Sequence, residues 1–226
     1  YSMLHLCGFD LPLDELKRFR QMDSKTPGHP EYGHTVGVEV TTGPLGQGIS
    51  NAVGMAISEK YLAARYNKDG YKIFDHNIFS ICGDGCLQEG ISGEASSLAG
   101  HLGLDNLVVI YDDNHITIDG NTEISFTEDV AKRYRAYGWN VVEIPGDGND
   151  IDALGKAIDD AKAQTECPTL IKFQSHIGYG SPNLQDSHAA HGAPLGVDEI
   201  KLIKTNCGWD PEKSFVVPTE VADHMG

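Results

Sequence analysis

The chain has 226 residues, enough for one large domain with a substantial core or for two small domains. Its net charge of -16, from 17 basic and 33 acidic residues, argues against nucleic acid and against an anionic membrane surface, since both select for lysine and arginine. The five cysteines are scattered and include no C-x-x-C pair, which predicts reduced thiols and a cytoplasmic location. No apolar run reaches the roughly 20 residues that span a bilayer.

Along the chain, residues 1–8 have the pattern of a helix ending at Gly8, so we expect the true N-terminus to lie upstream. Four apolar, β-branched runs predict buried strands at residues 77–82, 106–111, 139–144 and 169–173. Apolar residues recur at helical spacing over residues 49–64 and 151–161. Ser125 and Glu128 predict a capping box before a helix over residues 130–137. This alternation predicts an α/β fold, with a mostly parallel sheet covered by helices on both faces.

Two long loops separate these elements, at residues 28–46 and 175–197. Loops of that length inside a compact domain are usually functional or disordered. The tail at residues 211–226 has the composition of a linker. We therefore expect one domain over residues 1–210, truncated at its N-terminus, and the start of a connection to a second domain beyond it.

A glycine-flanked aspartate, Asp84, follows the first predicted strand, and Asn114 follows the second. Ligands of parallel sheets bind beyond the carboxyl ends of the strands, so Asp84 and Asn114 should face one another if these strands pair. Gly83 and Gly85 would let the backbone approach a phosphate closely. A carboxylate, an amide oxygen and a backbone carbonyl near Ile116 are ligands that suit Mg²⁺.

Other aspartates in the chain are weaker candidates for metal or phosphate binding. Asp112 and Asp113 are further ligand candidates, but adjacent strand residues point to opposite faces, so we rank both below Asp84. A second Gly-Asp-Gly occurs at residues 146–148. Here the next predicted strand, at residues 169–173, is not followed by an asparagine as the strand after Asp84 is. We interpret this second Gly-Asp-Gly as a turn with a helix N-cap at Asn149 or Asp150. Gly-Asp-Gly alone is therefore a weak signal.

Longer strings are more specific. They occur in the order Thr26-Pro-Gly-His-Pro-Glu31, Gly37-Val-Glu-Val-Thr-Thr-Gly-Pro-Leu-Gly-Gln-Gly48, Gly83-Asp-Gly-Cys-Leu-Gln-Glu-Gly90 and His191-Gly-Ala-Pro194. Over essentially its whole length the chain resembles the N-terminal, diphosphate-binding domain of the transketolase family. The resemblance implies the thiamine diphosphate-binding fold, with thiamine diphosphate and Mg²⁺ (or Ca²⁺) as cofactors.

The resemblance also implies roles by position. The implied metal ligands are Asp84, Asn114 and the carbonyl of Ile116. The implied contacts to thiamine diphosphate are Gly43, Leu45, Gly85, Ile116, Ile118 and His191. The implied groups near the reacting substrate or the dimer interface are His29, His191, Glu89 and Glu94.

The leading hypothesis is a fragment of a homodimeric transketolase that transfers two-carbon ketol units between sugar phosphates. In the family a second, pyrimidine-binding domain supplies the glutamate that activates the cofactor, so we expect these residues alone to be inactive. Two alternatives stay open. One is another thiamine diphosphate enzyme, such as a phosphoketolase or a 1-deoxyxylulose-phosphate synthase, and the other is a non-catalytic binding or dimerisation module.

Overall fold

The computed structural model describes residues 1–145 and 150–225, and its centre is a four-stranded sheet. The strands are β1 (Ile78–Gly83), β2 (Leu107–Asp113), β3 (Asn140–Ile144) and β4 (Thr169–Gln174). Their order is β1-β2-β4-β3, and every pairing is parallel. The predicted strands are confirmed to within two residues at each end, and the predicted pairing of the first two strands is confirmed.

Helices cover both faces of the sheet, as the alternating pattern predicted. The described helices are α1 (Ser2–Leu6), α2 (Leu13–Lys17), α3 (Gln47–Tyr66), α4 (Asp84–Gln88), α5 (Gly90–Leu102), α6 (Val130–Ala136), α7 (Ile151–Ala163), α8 (Val197–Asn206) and α9 (Thr219–Met225). Two short 3-10 helices lie at Thr122–Ile124 and His188–Ala190. No helix among the described residues is long and apolar enough to cross a membrane.

The central strand β2 divides the core into two layers because its side chains alternate between faces. Leu107, Val109 and Tyr111 belong to the larger cluster, which includes residues of α3, α5 and α6. Val108 and Ile110 belong to the smaller cluster, which packs on α7. This alternation continues past the apolar residues, so Asp112 and Asp113 also project to opposite faces.

The predicted capping box before α6 is wrong. The N-cap is Asp129, whose carboxylate accepts a hydrogen bond from the Lys132 N–H at 3.0 Å. Ser125 is engaged elsewhere, because its hydroxyl donates to Gln88 and its segment closes the preceding 3-10 turn. Glu128 pairs with the Arg133 guanidinium. An aspartate one residue before the helix therefore performs the capping that the sequence pattern assigned to a serine.

Both long loops are confirmed as irregular segments apart from the 3-10 turn at His188–Ala190. The first connects α2 to α3, and the second connects β4 to α8. The second Gly-Asp-Gly, at residues 146–148, lies outside the described residues, as does Asn149. Asp150 is confirmed as the N-cap of α7, since its carboxylate accepts from the Ala153 N–H at 2.9 Å.

Candidate cofactor and metal site

Asp84 is the first residue of α4 and lies at the carboxyl edge of the sheet, immediately after β1. Its side chain is only 3 % exposed. Oδ1 accepts a hydrogen bond from the Tyr111 hydroxyl at 2.6 Å, whereas Oδ2 is buried and has no hydrogen-bond partner among the described residues. A buried carboxylate oxygen without a partner is costly, so this atom is suited to contact a bound cation.

Behind Asp84 lies a second buried carboxylate, Asp113, at the end of β2. The Tyr111 hydroxyl is 2.9 Å from Asp113 Oδ1, and the Lys172 ammonium is 3.0 Å from Asp113 Oδ2. Lys172 reaches this position because its residue pairs with Tyr111 in the β2–β4 register. A single phenolic proton can serve only one of the two carboxylates at a time. The carboxylates of Asp84 and Asp113 share one ammonium group, that of Lys172, so that negative charge is in local excess.

Burial raises the pKa of the Asp84 carboxyl; the Tyr111 hydrogen bond opposes this rise, and the nearby negative charge of Asp113 adds to it. Burial and the Asp84 carboxylate also raise the pKa of the Tyr111 hydroxyl above its ordinary value. Tyr111 therefore remains a neutral hydrogen-bond donor, and both shifts have the same largest cause, the burial of an ionisable group. A divalent cation at Asp84 would stabilise the ionised carboxylate.

The segment after β2 turns sharply through Asn114, His115 and Ile116. Asn114 Oδ1 accepts from the Ile116 N–H at 3.0 Å, and His115 adopts a left-handed conformation with φ 60°. Among the described residues, no donor hydrogen-bonds to the carbonyl oxygen of Ile116. The turn therefore leaves one backbone oxygen available and uses one of the two lone pairs of the Asn114 amide oxygen.

Candidate metal-ligating atoms of Asp84, Asp113 and His115 lie within 4.8 Å of one another. The predicted set of Asp84, Asn114 and Ile116 thus shares Asp84 with the cluster that the structure brings together. Asp113 and His115 lie close to Asp84, but Asp113 already pairs with Lys172. The assignment of Asn114 and the Ile116 carbonyl as ligands stays a prediction.

A cavity of about 400 Å³ opens beside this cluster. Its walls come from the ends of β1, β2 and β4 and from the segment before α6. The lining side chains are Asp84, Tyr111, Asp113, His115, Asn121, Thr122, Glu123, Phe126, Thr127, Glu128, Val130 and Lys172. Polar and apolar surface line this cavity in similar amounts, and its volume leaves room for small oxygen-rich groups beside the buried Asp84.

The glycine-rich loop before α3 packs onto the start of α4 and α5. A Cβ atom on Gly85 would lie 3.0 Å from Leu45 Cδ1, and one on Gly46 would lie 3.0 Å from Glu89 Cβ. A Cβ atom on Gly43 would lie 3.1 Å from the His29 ring. The fold thus brings the loop that carries His29, Gly43 and Leu45 next to the segment that begins at Asp84 and Gly85.

The other candidate groups lie at the surface. Leu45 is 50 % exposed and Ile118 is 69 % exposed, and the side chains of His29, Glu89 and His191 are exposed as well. Ile116, by contrast, is 7 % exposed. Within the described part of the chain, no hydrogen bond or ion pair joins His191 or Ile118 to the Asp84 cluster. The structure therefore buries Asp84 and Ile116 at the carboxyl edge of the sheet, whereas His29 and His191, the predicted substrate-facing residues, are exposed.

Sequence reasoning ranked Asp113 low and did not single out Tyr111 or Lys172. The available signal was the period of two along β2, which places Tyr111 and Asp113 on one face. Lys172 carried no local signal, because its place depends on β4 lying next to β2.

Comparisons with known proteins match this arrangement. The family described as transketolase, thiamine diphosphate binding domain, matches residues 1–226. Transketolase 1 of Saccharomyces cerevisiae is 60 % identical over 99 % of the chain and 33 % of its own length, and the Bacillus subtilis transketolase is 55 % identical over 100 % and 34 %. The chain thus spans about a third of the length of these relatives.

Two solved structures have the same fold throughout the chain. A Pichia stipitis transketolase in complex with sedoheptulose 7-phosphate has a TM-score of 0.95 and 54 % identity, covering 100 % of this chain and 33 % of that one. The Leishmania mexicana transketolase has a TM-score of 0.95 and 51 % identity, covering 98 % and 33 %. These likenesses cover the sheet, the glycine-rich loop and the Asp84 segment together.

Proposed function

Because the chain belongs to the transketolase family, whose thiamine diphosphate-binding domain it matches from end to end, we propose that it holds the Mg²⁺ and diphosphate half of a transketolase cofactor site. The parent activity is the transfer of two-carbon ketol units between sugar phosphates. The observation that carries this proposal is the buried, unpartnered Oδ2 atom of Asp84 at the carboxyl edge of a parallel sheet.

The residues present fit a small, hard cation. Mg²⁺ prefers oxygen ligands and usually takes one or two protein groups, with phosphate and water completing its shell. Asp84 Oδ2, the Asn114 amide oxygen and the Ile116 carbonyl would hold the ion. The excess negative charge of Asp84 and Asp113 over Lys172 favours its binding. Ca²⁺ would suit the same donors.

The diphosphate is expected at Gly85, whose backbone carries no side chain that would obstruct a phosphate group. Leu45 and Ile118 offer apolar surface to the rings of the cofactor, and Gly43 offers backbone contacts. When bound, thiamine diphosphate supplies the electron sink needed to break the carbon–carbon bond beside a ketose carbonyl.

The chain's own histidines would move protons. An imidazole can donate to or accept from a substrate hydroxyl near neutral pH, and His29 and His191 are the candidates. Both are exposed, so another surface must cover them to exclude water during the reaction. We infer that this cover comes from a second domain and from a second subunit at Glu89 and Glu94. On this view the 226 residues alone do not catalyse ketol transfer.

Calorimetric titration tests the binding half of this proposal. The chain should bind thiamine diphosphate only when Mg²⁺ is present, and more weakly than the full-length relative that is 60 % identical. Metal-independent binding, or no binding at millimolar cofactor, would contradict the proposal.

A chimaera tests the catalytic half. The chain would replace the matching third of the 60 %-identical relative, with that unaltered relative as the positive control. We expect ketol transfer from the chimaera and none from the chain alone. A well-folded chimaera that binds cofactor but produces no turnover would count against the ketol-transfer assignment.

A second candidate, an interaction module, is favoured by one observation. On the edge strand β1, Phe79 is 47 % exposed and Ile81 is 75 % exposed, which leaves an apolar strip uncovered. Light scattering with and without Mg²⁺ and cofactor separates the two candidates. A dimer that forms equally well without cofactor, together with an inactive chimaera, would favour the module.

A further inference from the structure

A buried carboxylate outside the cofactor site anchors the loop that carries His191. Glu199, in the first turn of α8, is 9 % exposed. Its Oε1 accepts from the Asn183 N–H at 3.0 Å and from the Ser181 hydroxyl, and its Oε2 accepts from the Asn183 side-chain amide at 2.8 Å. All three donors belong to the 175–197 loop, so one charged group holds the middle of that loop against α8.

From this anchor a series of hydrogen bonds leads to Ala190, the residue before His191. The Ser181 hydroxyl also accepts from the Leu184 N–H at 3.0 Å, and the Leu184 carbonyl accepts from the Ser187 N–H at 3.2 Å. The Ser187 carbonyl accepts from the Ala190 N–H at 3.0 Å. The backbone conformation just before His191 is therefore tied, step by step, to Glu199.

The far end of α8 supports the same loop. The Asn206 side-chain amide donates to the Gly180 carbonyl at 2.9 Å. A Cβ atom on Gly180 would lie 3.1 Å from Cys207 Sγ, so the loop packs closely against the end of the helix. At the other side of the loop, a Cβ atom on Gly178 would lie 3.0 Å from Ala190 Cβ. One part of the loop thus packs on α8, and another part packs on the turn just before His191.

We propose that Glu199 is a positioning residue that fixes His191 through Ser181 and the turn at residues 184–190. This inference rests on the proposed function only in giving His191 a part in the reaction. Glu199 touches no substrate in this scheme. It acts because a charged acceptor holds its donors more firmly than a neutral one, and because His191 is exposed and depends on its loop for its place.

The test compares Glu199→Gln with Asp198→Asn, its exposed neighbour on α8, in the chain and in the chimaera. Hydrogen exchange at the Leu184 and Ser187 amides should become about tenfold faster in Glu199→Gln, because a charge-assisted anchor is lost. The rate at which diethyl pyrocarbonate acylates His191, followed by mass spectrometry, should change about threefold or more in Glu199→Gln, since the loop that carries His191 is then less ordered. His29 in the same sample should react as in the wild type, and Asp198→Asn should change none of these.

In the chimaera, Glu199→Gln should lower kcat about tenfold with little change in KM, as expected when a reacting group is misplaced rather than removed. Ser181→Ala should act in the same direction, and the double variant should be no worse than Glu199→Gln. Additive effects, or unchanged exchange and His191 acylation, would overturn the proposal. Should Glu199→Gln fail to fold, the milder Ser181→Ala carries the same test.

His191→Ala keeps this inference separate from the proposed function. If that variant of the chimaera retains full turnover while Glu199→Gln still loosens the loop and alters His191 acylation, the catalytic part of His191 is wrong and the positioning by Glu199 stands. If His191→Ala loses turnover and Glu199→Gln changes neither exchange nor acylation, the positioning is wrong and the proposed function stands.

Discussion

The strand-end cluster of Asp84, Tyr111, Asp113 and Lys172 differs sharply from the exposed rim of His29, Leu45, Ile118 and His191. In the cluster, Tyr111, Asp84 and Asp113 are 2 %, 3 % and 4 % exposed and are joined by short hydrogen bonds and an ion pair. In the rim, Leu45 and Ile118 are 50 % and 69 % exposed. The cluster is held together by contacts among its own members, whereas the proposed function requires a further surface to cover the rim.

The difference follows from how each region is built. The cluster residues follow or belong to strands whose parallel register fixes them relative to one another. The rim residues sit on irregular segments outside the sheet, and the segment that carries His191 is held by side-chain contacts such as those of Glu199. We therefore expect changes in the cluster to affect metal and cofactor binding, and changes in the rim to affect turnover.

The largest effect is expected from Asp84→Ala. Groups that merely support metal ligands usually contribute 10–100-fold, so removing a ligand should weaken Mg²⁺-dependent thiamine diphosphate binding by more than about 100-fold. Calorimetric titration measures the change. Asp159→Ala, an exposed aspartate on α7, is the matched control and should bind as the wild type does. Unchanged affinity in Asp84→Ala would refute the ligand assignment.

His29→Ala examines the rim. In the chimaera its kcat should fall about 100-fold, as for the loss of a general acid or base, while the dissociation constant of the cofactor changes little. Steady-state kinetics and titration of the same sample separate the two quantities. The exposed His101, on α5, provides the control, since His101→Ala should leave kcat unchanged. A large loss of cofactor affinity in His29→Ala would contradict the expectation that rim residues affect turnover and not cofactor binding.

Tyr111→Phe removes one oxygen atom from the cluster and keeps the ring. Without the hydroxyl, Asp84 loses the group that orients its carboxylate, so Mg²⁺ affinity should fall about tenfold, within the range for supporting residues. The free energy of unfolding should fall by about 1–3 kcal/mol, because buried carboxylate oxygens lose a donor. Urea unfolding and titration measure both. Tyr61→Phe, at an exposed hydroxyl, should change neither.

Gly85→Ala probes the contact between the two regions. The new Cβ would meet only the Leu45 side-chain end, at 3.0 Å, and that exposed side chain is free to move aside. The free energy of unfolding should therefore change little, whereas the new methyl group should lower the affinity for the diphosphate a few-fold. Gly54→Ala, with nothing within 4 Å of the new atom, controls for helix propensity. Equal affinity in both variants would argue against a diphosphate at Gly85.

The sequence predicted those parts of the fold that are encoded locally. Apolar runs located each strand, and the glycine-flanked Asp84 identified the carboxyl edge of the sheet, because both signals lie within a few consecutive residues. The position of β4 between β2 and β3 is not encoded locally, since the side-chain periods of strands carry no information about their order. Lys172 was missed for this reason: it reaches Asp113 only in that strand order.

The two adjacent aspartates show a finer limit. Alternation along β2 correctly implied that Asp112 and Asp113 face opposite sides, but not which of them faces Asp84. The structure places Asp113 on the side of Tyr111, and Asp112 accepts a hydrogen bond from Ser175 on the other side. The capping box failed similarly, because Ser125 has a tertiary partner, Gln88, that no local pattern indicates.

A crystal structure of the chain grown with Ca²⁺ and thiamine diphosphate tests the shared cation most directly. We expect one ion at about 2.3–2.6 Å from Asp84 Oδ2, the Asn114 amide oxygen and the Ile116 carbonyl, with diphosphate oxygens completing its shell. An ion held instead by Asp113 and His115, or an Asn114 side chain turned away from an occupied site, would contradict the assignment.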